Sequence, residues 1–422
     1  MIKKIIYKLK RPYHFIKTGL LNGFIAELKY KHPAKKLKII TITGTDGKTT
    51  SSTLLYHVLK TANKKVGLLS TVAAYMGKKS IDTGFHVTSP QPADLQKFMR
   101  QMVDKHYEYL VLEVTSHGNY QFRNWGIKPV ISGLTNIANE HLDYHLNYEE
   151  YLNAKSGILS KAPIAVINAD DRSYPILIKK LTKTNLITYS KETPLEPKIQ
   201  SIIEKVFPED YNQMNAKLVY ALSKSLNISD SDYIAGLKTF AGVPGRMEVV
   251  KNSAANSTSK NVNIIVDFAH TPQGLRSVLR TLKEKIEKNG SKGRLIAVFG
   301  CAGRRDKGKR PEMGKIGVEI ADLSIFTAED PRNEDIWSII RQMKEQLTTG
   351  HNKIISIAER GEAIEYALTK LAKPEDTVVI LGKGHEKSMN YNGIEYPWND
   401  IEAIKQILKG EHPRVRGNSE NA

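Results

Sequence analysis

The chain has 422 residues, 40% of them hydrophobic, which is enough for a substantial buried core divided between two or three domains. A single cysteine, Cys301, excludes an internal disulfide framework and argues against a thiolate zinc cluster, as suits a soluble protein of a reducing cytoplasm; no run of 18 apolar residues is present to span a membrane. The net charge of +19 invites a nucleic-acid partner, but residues 1–40 hold eleven Lys and Arg against one acid, Glu27, so over half of the excess is local and charge alone identifies no partner.

That basic stretch contains YHFIKTGLLNGFIAELKY, with apolar residues at helical spacing and lysines around them, followed by HPAKKLK as a linker. It is too short for an independent domain. Two roles are open to it: lying on an anionic membrane surface with its Phe, Ile and Leu residues at the interface, or packing across the domain that follows, which is the favoured reading.

From Leu37 onward, strand-like apolar runs alternate with amphipathic helical stretches, the pattern of parallel sheets covered by helices. The first series of strand candidates is KIITIT (38–43), YLVLEV (109–114), PVISGLTNI (129–137) and AVINAD (165–170). A second series follows: NIIVDFAH (263–270), RLIAVFG (294–300), LSIFTAE (323–329) and TVVILGKG (377–384). Between them lie VPGRMEVV and the polar KNSAANSTSKN (251–261), which place a domain boundary near residue 244.

The loop after KIITIT carries the first chemistry. A common phosphate loop has four residues between its first glycine and the Gly-Lys pair, whereas only Thr45 and Asp46 separate Gly44 from Gly47. Its glycines let backbone N–H groups approach a phosphate, and the helix opened by Lys48, Thr49 and Thr50 adds positive potential. Lys48 can reach a terminal phosphoryl group, and Thr49 is placed to ligate magnesium. EVTSHG (113–118) sets Glu113 and His117 at the carboxyl end of a strand, where α/β folds collect ligands. NIANEHLDYH (136–145) clusters Glu140, His141, Asp143 and His145. Alone, such a group reads as a helix cap or a satisfied loop; beside a phosphate loop, one carboxylate and one imidazole make a sparse magnesium site.

GTDGKTT, EVTSHG, HLDYH, NADD, DFAHTP, VFGCAGRRDKGKRPEM, EDPRNE and GKGHE occur in the order seen in the Mur ligases, the ATP-dependent amide-forming enzymes of peptidoglycan synthesis. The similarity runs from about residue 38 to about residue 404 and is greatest to the MurE branch, which adds the third stem-peptide residue. The resemblance implies an α/β architecture: a short basic helical segment and linker over 1–37, a central phosphate-loop ATPase domain with a parallel sheet over 38–243, and a Rossmann-like domain over 244–422 with a flexible tail after about 410. The last two are expected to close over ATP.

The resemblance also implies a reaction. A substrate carboxylate attacks the γ-phosphate of ATP, and an amine then attacks the resulting acyl phosphate, chemistry that needs charge stabilisation more than covalent help. Lys48 would hold the β and γ phosphates; Thr49, Glu113 and His141 would surround Mg2+; Asn215 would lie near adenine. Lys155 matches the family's carbamylated lysine, which helps a second magnesium bind, although without the resemblance it reads as a solvated helix lysine. His270, Arg305, Asp306 and Lys307 would contact ATP, with Asp267 and Arg310 beside them; a basic solvated loop is the plainer reading of GRRDKGKRP. Gly245 and Arg246 match an interdomain segment.

For the incoming amino acid the resemblance points to EDPRNE and GKGHE. Enzymes of the branch that add meso-diaminopimelate carry Asp-Asn-Pro-Arg, the arginine pairing with the distal carboxylate. Here Arg332 offers that two-pronged bond, Asp330 replaces the asparagine and adds a negative charge, and Gly382 and Glu386 lie where the distal ammonium would be held. An Asp-Pro turn with an exposed arginine is the alternative. Thr88, Ser89, Thr115, Gln121 and Arg123 match positions that contact the muramoyl dipeptide. The implied partners are small molecules, with no nucleic acid and with peripheral membrane contact through the N-terminal segment as an option. Other superfamily ligases, of the lysine-adding, folylpolyglutamate, cyanophycin or poly-γ-glutamate type, are the competing reading, and EDPRNE and GKGHE argue against the last three. A typical member of the branch has a uridine-binding domain of roughly ninety residues ahead of the loop, so that domain is expected to be absent or reduced to one helix here.

Overall fold

The computed structural model describes residues 10–71, 74–76, 79–81, 89–138, 144–251 and 261–415. The chain divides into two compact units, Met1–Gly242 and Val243–Ala422.

The first unit is built on an eight-stranded sheet. Its strands are β1 (Lys38–Thr43), β2 (Val66–Leu69), β3 (Ala74–Met76), β4 (Lys79–Ile81), β5 (Tyr109–Glu113), β6 (Ile131–Leu134), β7 (Ile164–Asn168) and β8 (Asn185–Tyr189). The order is β4-β3-β2-β5-β1-β6-β7-β8, parallel from β2 to β8 and antiparallel at β3 and β4. KIITIT and YLVLE are near-continuous apolar runs because both faces of a parallel sheet are covered. Alternate residues feed two cores: Ile40, Ile42 and Val111 meet Leu54, Leu55, Val58 and Leu59 of the helix Lys48–Thr61, while Ile39, Leu110 and Leu112 meet Leu95, Phe98, Met99 and Met102 of the helix Pro92–Asp104. β1 lies between β5 and β6, so the loops leaving their carboxyl ends converge, the usual ligand position of an open α/β sheet.

The N-terminal helix, a π-helical stretch over Phe15–Phe24 continued by an α-helix over Ile25–Lys29, packs on this unit. Phe15 and Phe24 meet the Trp125 ring edge-on or tilted, Asn22 Oδ1 accepts the Ala93 N–H at 3.2 Å, and Trp125 Nε1 donates to Glu27 at 3.1 Å.

The second unit has a six-stranded sheet of β9 (Glu248–Val250), β10 (Asn263–Asp267), β11 (Leu295–Phe299), β12 (Leu323–Phe326), β13 (Ile354–Ser356) and β14 (Thr377–Leu381), in the order β13-β12-β11-β14-β10-β9. All neighbours are parallel except the edge strand β9. It too has a core on each face, and a buried ion pair, Arg360 with Asp400 at 2.7 Å, ties the helices Arg360–Tyr366 and Asp400–Leu408 together. A hairpin of β15 (Ser388–Tyr391) and β16 (Ile394–Pro397) turns at Asn392 and Gly393, both at positive φ, as a tight hairpin requires.

Candidate active site

The shortened loop is clamped by the end of β6. The Asp46 N–H donates to Asn136 Oδ1 at 3.0 Å, and the Asp46 carbonyl accepts from Thr135 Oγ1 at 2.6 Å and Asn136 Nδ2 at 3.1 Å. Thr45 Oγ1 accepts the Ala138 N–H at 2.9 Å and lies 3.1 Å from Tyr151 Oη. Gly44 (φ 153°) and Gly47 (φ 78°) leave no room for a side chain: a Cβ would fall 1.7 Å from Thr135 Oγ1 and 2.3 Å from Asn215 Oδ1 respectively. Lys48 Nζ, at the start of the helix, donates to the Thr45 carbonyl at 2.6 Å, and Thr50 follows in the same first turn. Asn215 lies behind the loop, accepting from Ser51 Oγ at 3.2 Å.

Glu113 ends β5 beside this loop and is 1% exposed. Its carboxylate accepts from Thr49 Oγ1 at 3.1 and 3.2 Å, from Thr71 Oγ1 at 2.8 Å and from the Thr71 N–H at 3.0 Å. All of these donors are neutral, and among the described residues no Lys, Arg or His forms an ion pair with it. A buried carboxylate compensated only by hydroxyls and an amide, flanked by two threonine oxygens, is a hard-oxygen set that fits magnesium. His141, with Glu140 and Asp143, lies outside the described residues, and among the described residues no group of three His, Cys, Asp or Glu is arranged to hold a metal.

Lys155 is not the solvated lysine that its type alone implies. It lies on the helix Tyr148–Leu159, is 2% exposed, donates to the Gly44 carbonyl and sits 4.5 Å over the Tyr151 ring. His145 is fully buried nearby; burial, with the charges of His117 and Lys155, pushes its pKa down to about 3, so it stays neutral at physiological pH.

A second group gathers beyond β5. Ser89 Oγ lies 2.9 Å from Thr115 Oγ1, which also caps the short helix Ser116–Tyr120 by accepting the Gly118 N–H. Arg123 donates from Nη1 to the Ser89 carbonyl at 2.8 Å and from Nε to Gln121 Oε1 at 2.7 Å, and Gln121 Nε2 donates to Tyr144 Oη at 2.8 Å. Ser89, Thr115, Gln121 and Arg123 are thus one connected network; Thr88 lies outside the described residues.

In the second unit the candidate charges separate into two kinds. Arg305 and Lys307 are exposed, and Lys307 Nζ lies 3.3 Å from Glu334. Arg310 is fully buried, bonding Glu334, Gln342 and the Ala302 carbonyl, so the ligand contact expected of it is replaced by a structural role. Asp267 likewise accepts the N–H groups of Met247 and Ala269, and Asp306 accepts that of Gly308. His270 Nδ1 lies 2.9 Å from the Phe268 carbonyl, and Arg246 stacks 4.3 Å over the Phe268 ring.

EDPRNE and GKGHE meet through Lys383. Its buried ammonium donates to Asp330 at 2.8 Å and pairs with Glu386 at 2.5 Å, while Asp330 also accepts the Asn390 N–H at 3.0 Å. The extra negative charge of Asp330 is therefore neutralised inside the protein, and Glu386 has an internal partner of its own. Asp330 (φ 44°) and Arg332 (φ 54°) both adopt left-handed backbone, and Arg332 is pinned by main-chain bonds to Asn390 and Asn392. Among the described residues the Arg332 guanidinium has no hydrogen-bond or ion-pair partner. Gly382 (φ 105°) packs on Glu329, whose fully buried carboxyl is pushed up to about 7 chiefly by burial. Burial, helped by Glu329, also pushes the Cys301 thiol up to about 12, which makes it unreactive.

Residues 42–229 match the Mur ligase middle domain, and residues 245–384 match the Mur ligase, glutamate ligase domain. The chain belongs to the Mur ligase family. UDP-N-acetylmuramoyl-L-alanyl-D-glutamate--2,6-diaminopimelate ligase of Clostridium botulinum is 36% identical over 403 residues, covering 90% of this Mur ligase and 80% of that protein. The protein of the same name from Parabacteroides distasonis is 35% identical over 405 residues, covering 92% and 81%. A solved structure of a 2,6-diaminopimelate ligase superposes with a TM-score of 0.57 at 25% identity, covering 93% and 83%. Folylpolyglutamate synthase of Mycobacterium tuberculosis, solved with ADP and AMPPCP, superposes at 0.66 over 97% and 99% of the two chains; at 15% identity it shares the fold alone.

Four residues that contribute to this Mur ligase site escape a motif reading. Thr71 binds Glu113 from LLSTVAAY, Thr135 and Asn136 clamp Asp46, and Tyr151 lies between Thr45 and Lys155. Only the position of Thr135 and Asn136 at the end of a predicted strand, beside the phosphate-loop strand, was a usable signal.

Proposed function

We propose that this Mur ligase uses ATP and Mg2+ to join meso-diaminopimelate to the D-glutamyl carboxylate of UDP-N-acetylmuramoyl-L-alanyl-D-glutamate. The observation that carries the reading is Glu113: a buried carboxylate, met among the described residues only by neutral donors, beside a loop built for phosphate. Bound magnesium would neutralise charge on the transferring phosphoryl group. Thr49, Thr71 and Glu113 are the residues to hold it, together with His141.

The chain's own groups do the rest. Backbone N–H groups of 44–50 and the Lys48 ammonium orient the terminal phosphate for attack by the dipeptide carboxylate, giving an acyl phosphate and ADP. The amine of the second substrate then attacks the acyl carbon and releases phosphate. The network of Ser89, Thr115, Gln121 and Arg123, with Thr88, binds the dipeptide; Asn215, His270, Arg305, Asp306 and Lys307 bind ATP; Arg332 pairs with the distal carboxylate of diaminopimelate, with Asp330, Gly382 and Glu386 shaping that pocket through Lys383.

Lys155 carries a carbamate in the working enzyme. Lys155 is buried beside the phosphate loop, where the anion formed by its capture of carbon dioxide would help balance metal charge. The enzyme works in the cytoplasm on small-molecule substrates, with its N-terminal helix touching a membrane surface. Phosphate release from ATP, measured with the UDP-muramoyl dipeptide plus diaminopimelate, lysine or ornithine in turn, should be stimulated most by diaminopimelate. No stimulation by any of the three would overturn the assignment. Lys155→Ala should lose activity and regain part of it with short carboxylic acids; full activity without them would remove the carbamate.

A further inference from the structure

The N-terminal helix is packed with its amphipathicity reversed. Gly19, Gly23 and Ala26 are buried, whereas Ile16, Leu20, Leu21, Phe24, Ile25 and Leu28 are exposed, Leu21 by 59% and Ile25 by 55%. Rotation cannot bury the large residues. A Cβ on Gly19 would fall 2.9 Å from the Trp125 ring, and one on Gly23 would fall 2.5 Å from Trp125 Cβ, so only the glycine face fits that surface. Asn22 bound to Ala93 and Glu27 bound to Trp125 fix the same rotation.

Charge and aromatic placement identify what the outer face meets. Glu27, the single acid among residues 1–40, points inward to Trp125 and His32, so it does not offset Lys10, Arg11, Lys17, Lys29 and Lys31, all exposed. Asp104 on the neighbouring helix is the acid that feels Lys31 and Lys36. Tyr13 and Tyr30 stand at the two ends of the apolar stripe, with Lys17 and Lys29 5.4 and 5.6 Å from their ring centres. Aliphatic residues bordered by tyrosines and lysines are the composition of an interfacial helix. No helix among the described residues is long and apolar enough to cross a membrane. A second copy of the same face would set like charges against like, whereas an anionic lipid surface neutralises them.

We propose that this outer face docks on the headgroup boundary of an anionic phospholipid bilayer, lying in its plane. The inner face grips Phe122 and Trp125, next to Gln121 and Arg123, so docking would hold that loop at the membrane. The inference rests on the helix's own residues and is read by flotation, separately from phosphate release. The full chain should float with phosphatidylcholine vesicles containing about a third phosphatidylglycerol and not with phosphatidylcholine alone, and the binding should weaken in high salt. Leu21→Glu combined with Ile25→Glu should abolish flotation while keeping the thermal midpoint and ATP turnover of the parent. Lys17→Gln and Lys29→Gln should each weaken binding about fivefold. Wild-type protein unbound to both vesicle types, or a double-glutamate variant that floats like the parent, would overturn the proposal. So would a wild-type dimer in light scattering that the double variant splits into monomers.

Discussion

Buried charge is handled in opposite ways by the two units. In the second unit each buried cation faces an acid: Arg360 holds Asp400 in a two-pronged pair, Arg310 holds Glu334, and Lys383 holds both Asp330 and Glu386. In the first, among the described residues, Glu113 meets only threonine hydroxyls and one amide N–H. A closed pair has repaid its desolvation within the fold, so it maintains structure. A buried carboxylate without a cation retains that cost: Glu329 meets it by holding its proton, whereas Glu113, beside the phosphate loop, is the candidate to meet it by binding a cation.

The contrast is broken most directly at Arg360. Arg360→Ala leaves Asp400 buried without its partner and should destabilise the second unit by about 3–5 kcal/mol, read as a lower denaturant midpoint. Glu113→Gln should do the reverse. It should leave the midpoint unchanged or higher while lowering turnover about 100- to 1000-fold, because a group acting on transition-state charge is lost. If Glu113→Gln unfolds the protein instead, the carboxylate is structural and the contrast fails.

Arg332→Ala tests a guanidinium that no acid among the described residues satisfies; KM for diaminopimelate should rise about tenfold, with kcat for lysine little changed. The smallest effect is expected at Glu329. Its folded pKa of about 7 lies above the ordinary carboxyl value, so its contribution to stability is present in full below the unfolded value and is lost as pH rises through about 7. Glu329→Gln should flatten that decline between roughly pH 4.5 and 7, seen by denaturation at several pH values.

Much of the fold was legible because parallel strands covered on both faces read as unbroken apolar runs. All eight strand candidates occur, although several end earlier than their apolar runs; PVISGLTNI pairs only over Ile131–Leu134, and its last residues turn to clamp Asp46. Of the strands outside those candidates, β3, β4, β9 and β13 have three residues each and β8 is NLITY, largely half-exposed, but β2, VGLL, is fully buried inside the sheet and is too short a run to stand out. Asn392-Gly393 is itself a tight-turn signal, and the β15–β16 hairpin turns on it.

At the site, spacing alone was enough to put Lys48 and Thr49 at a helix start directly after a glycine turn, where the structure has them. It did not separate Arg305 and Lys307 from Arg310, since a run of basic residues does not reveal which guanidinium turns inward; Arg310 does, to meet Glu334 from a different segment. Lys155 shows the same gap: nothing around YLNAKSGIL distinguishes it from a surface lysine, and only packing against Gly44 and Tyr151 buries it.

By itself, the sequence determined the α/β class, the phosphate loop and the family, because those depend on local periodicity and on residues adjacent along the chain. Tertiary structure decided which charges are closed and which are open. It also decided that the N-terminal helix turns its leucines outward, because Trp125, about a hundred residues away in sequence, admits only glycine.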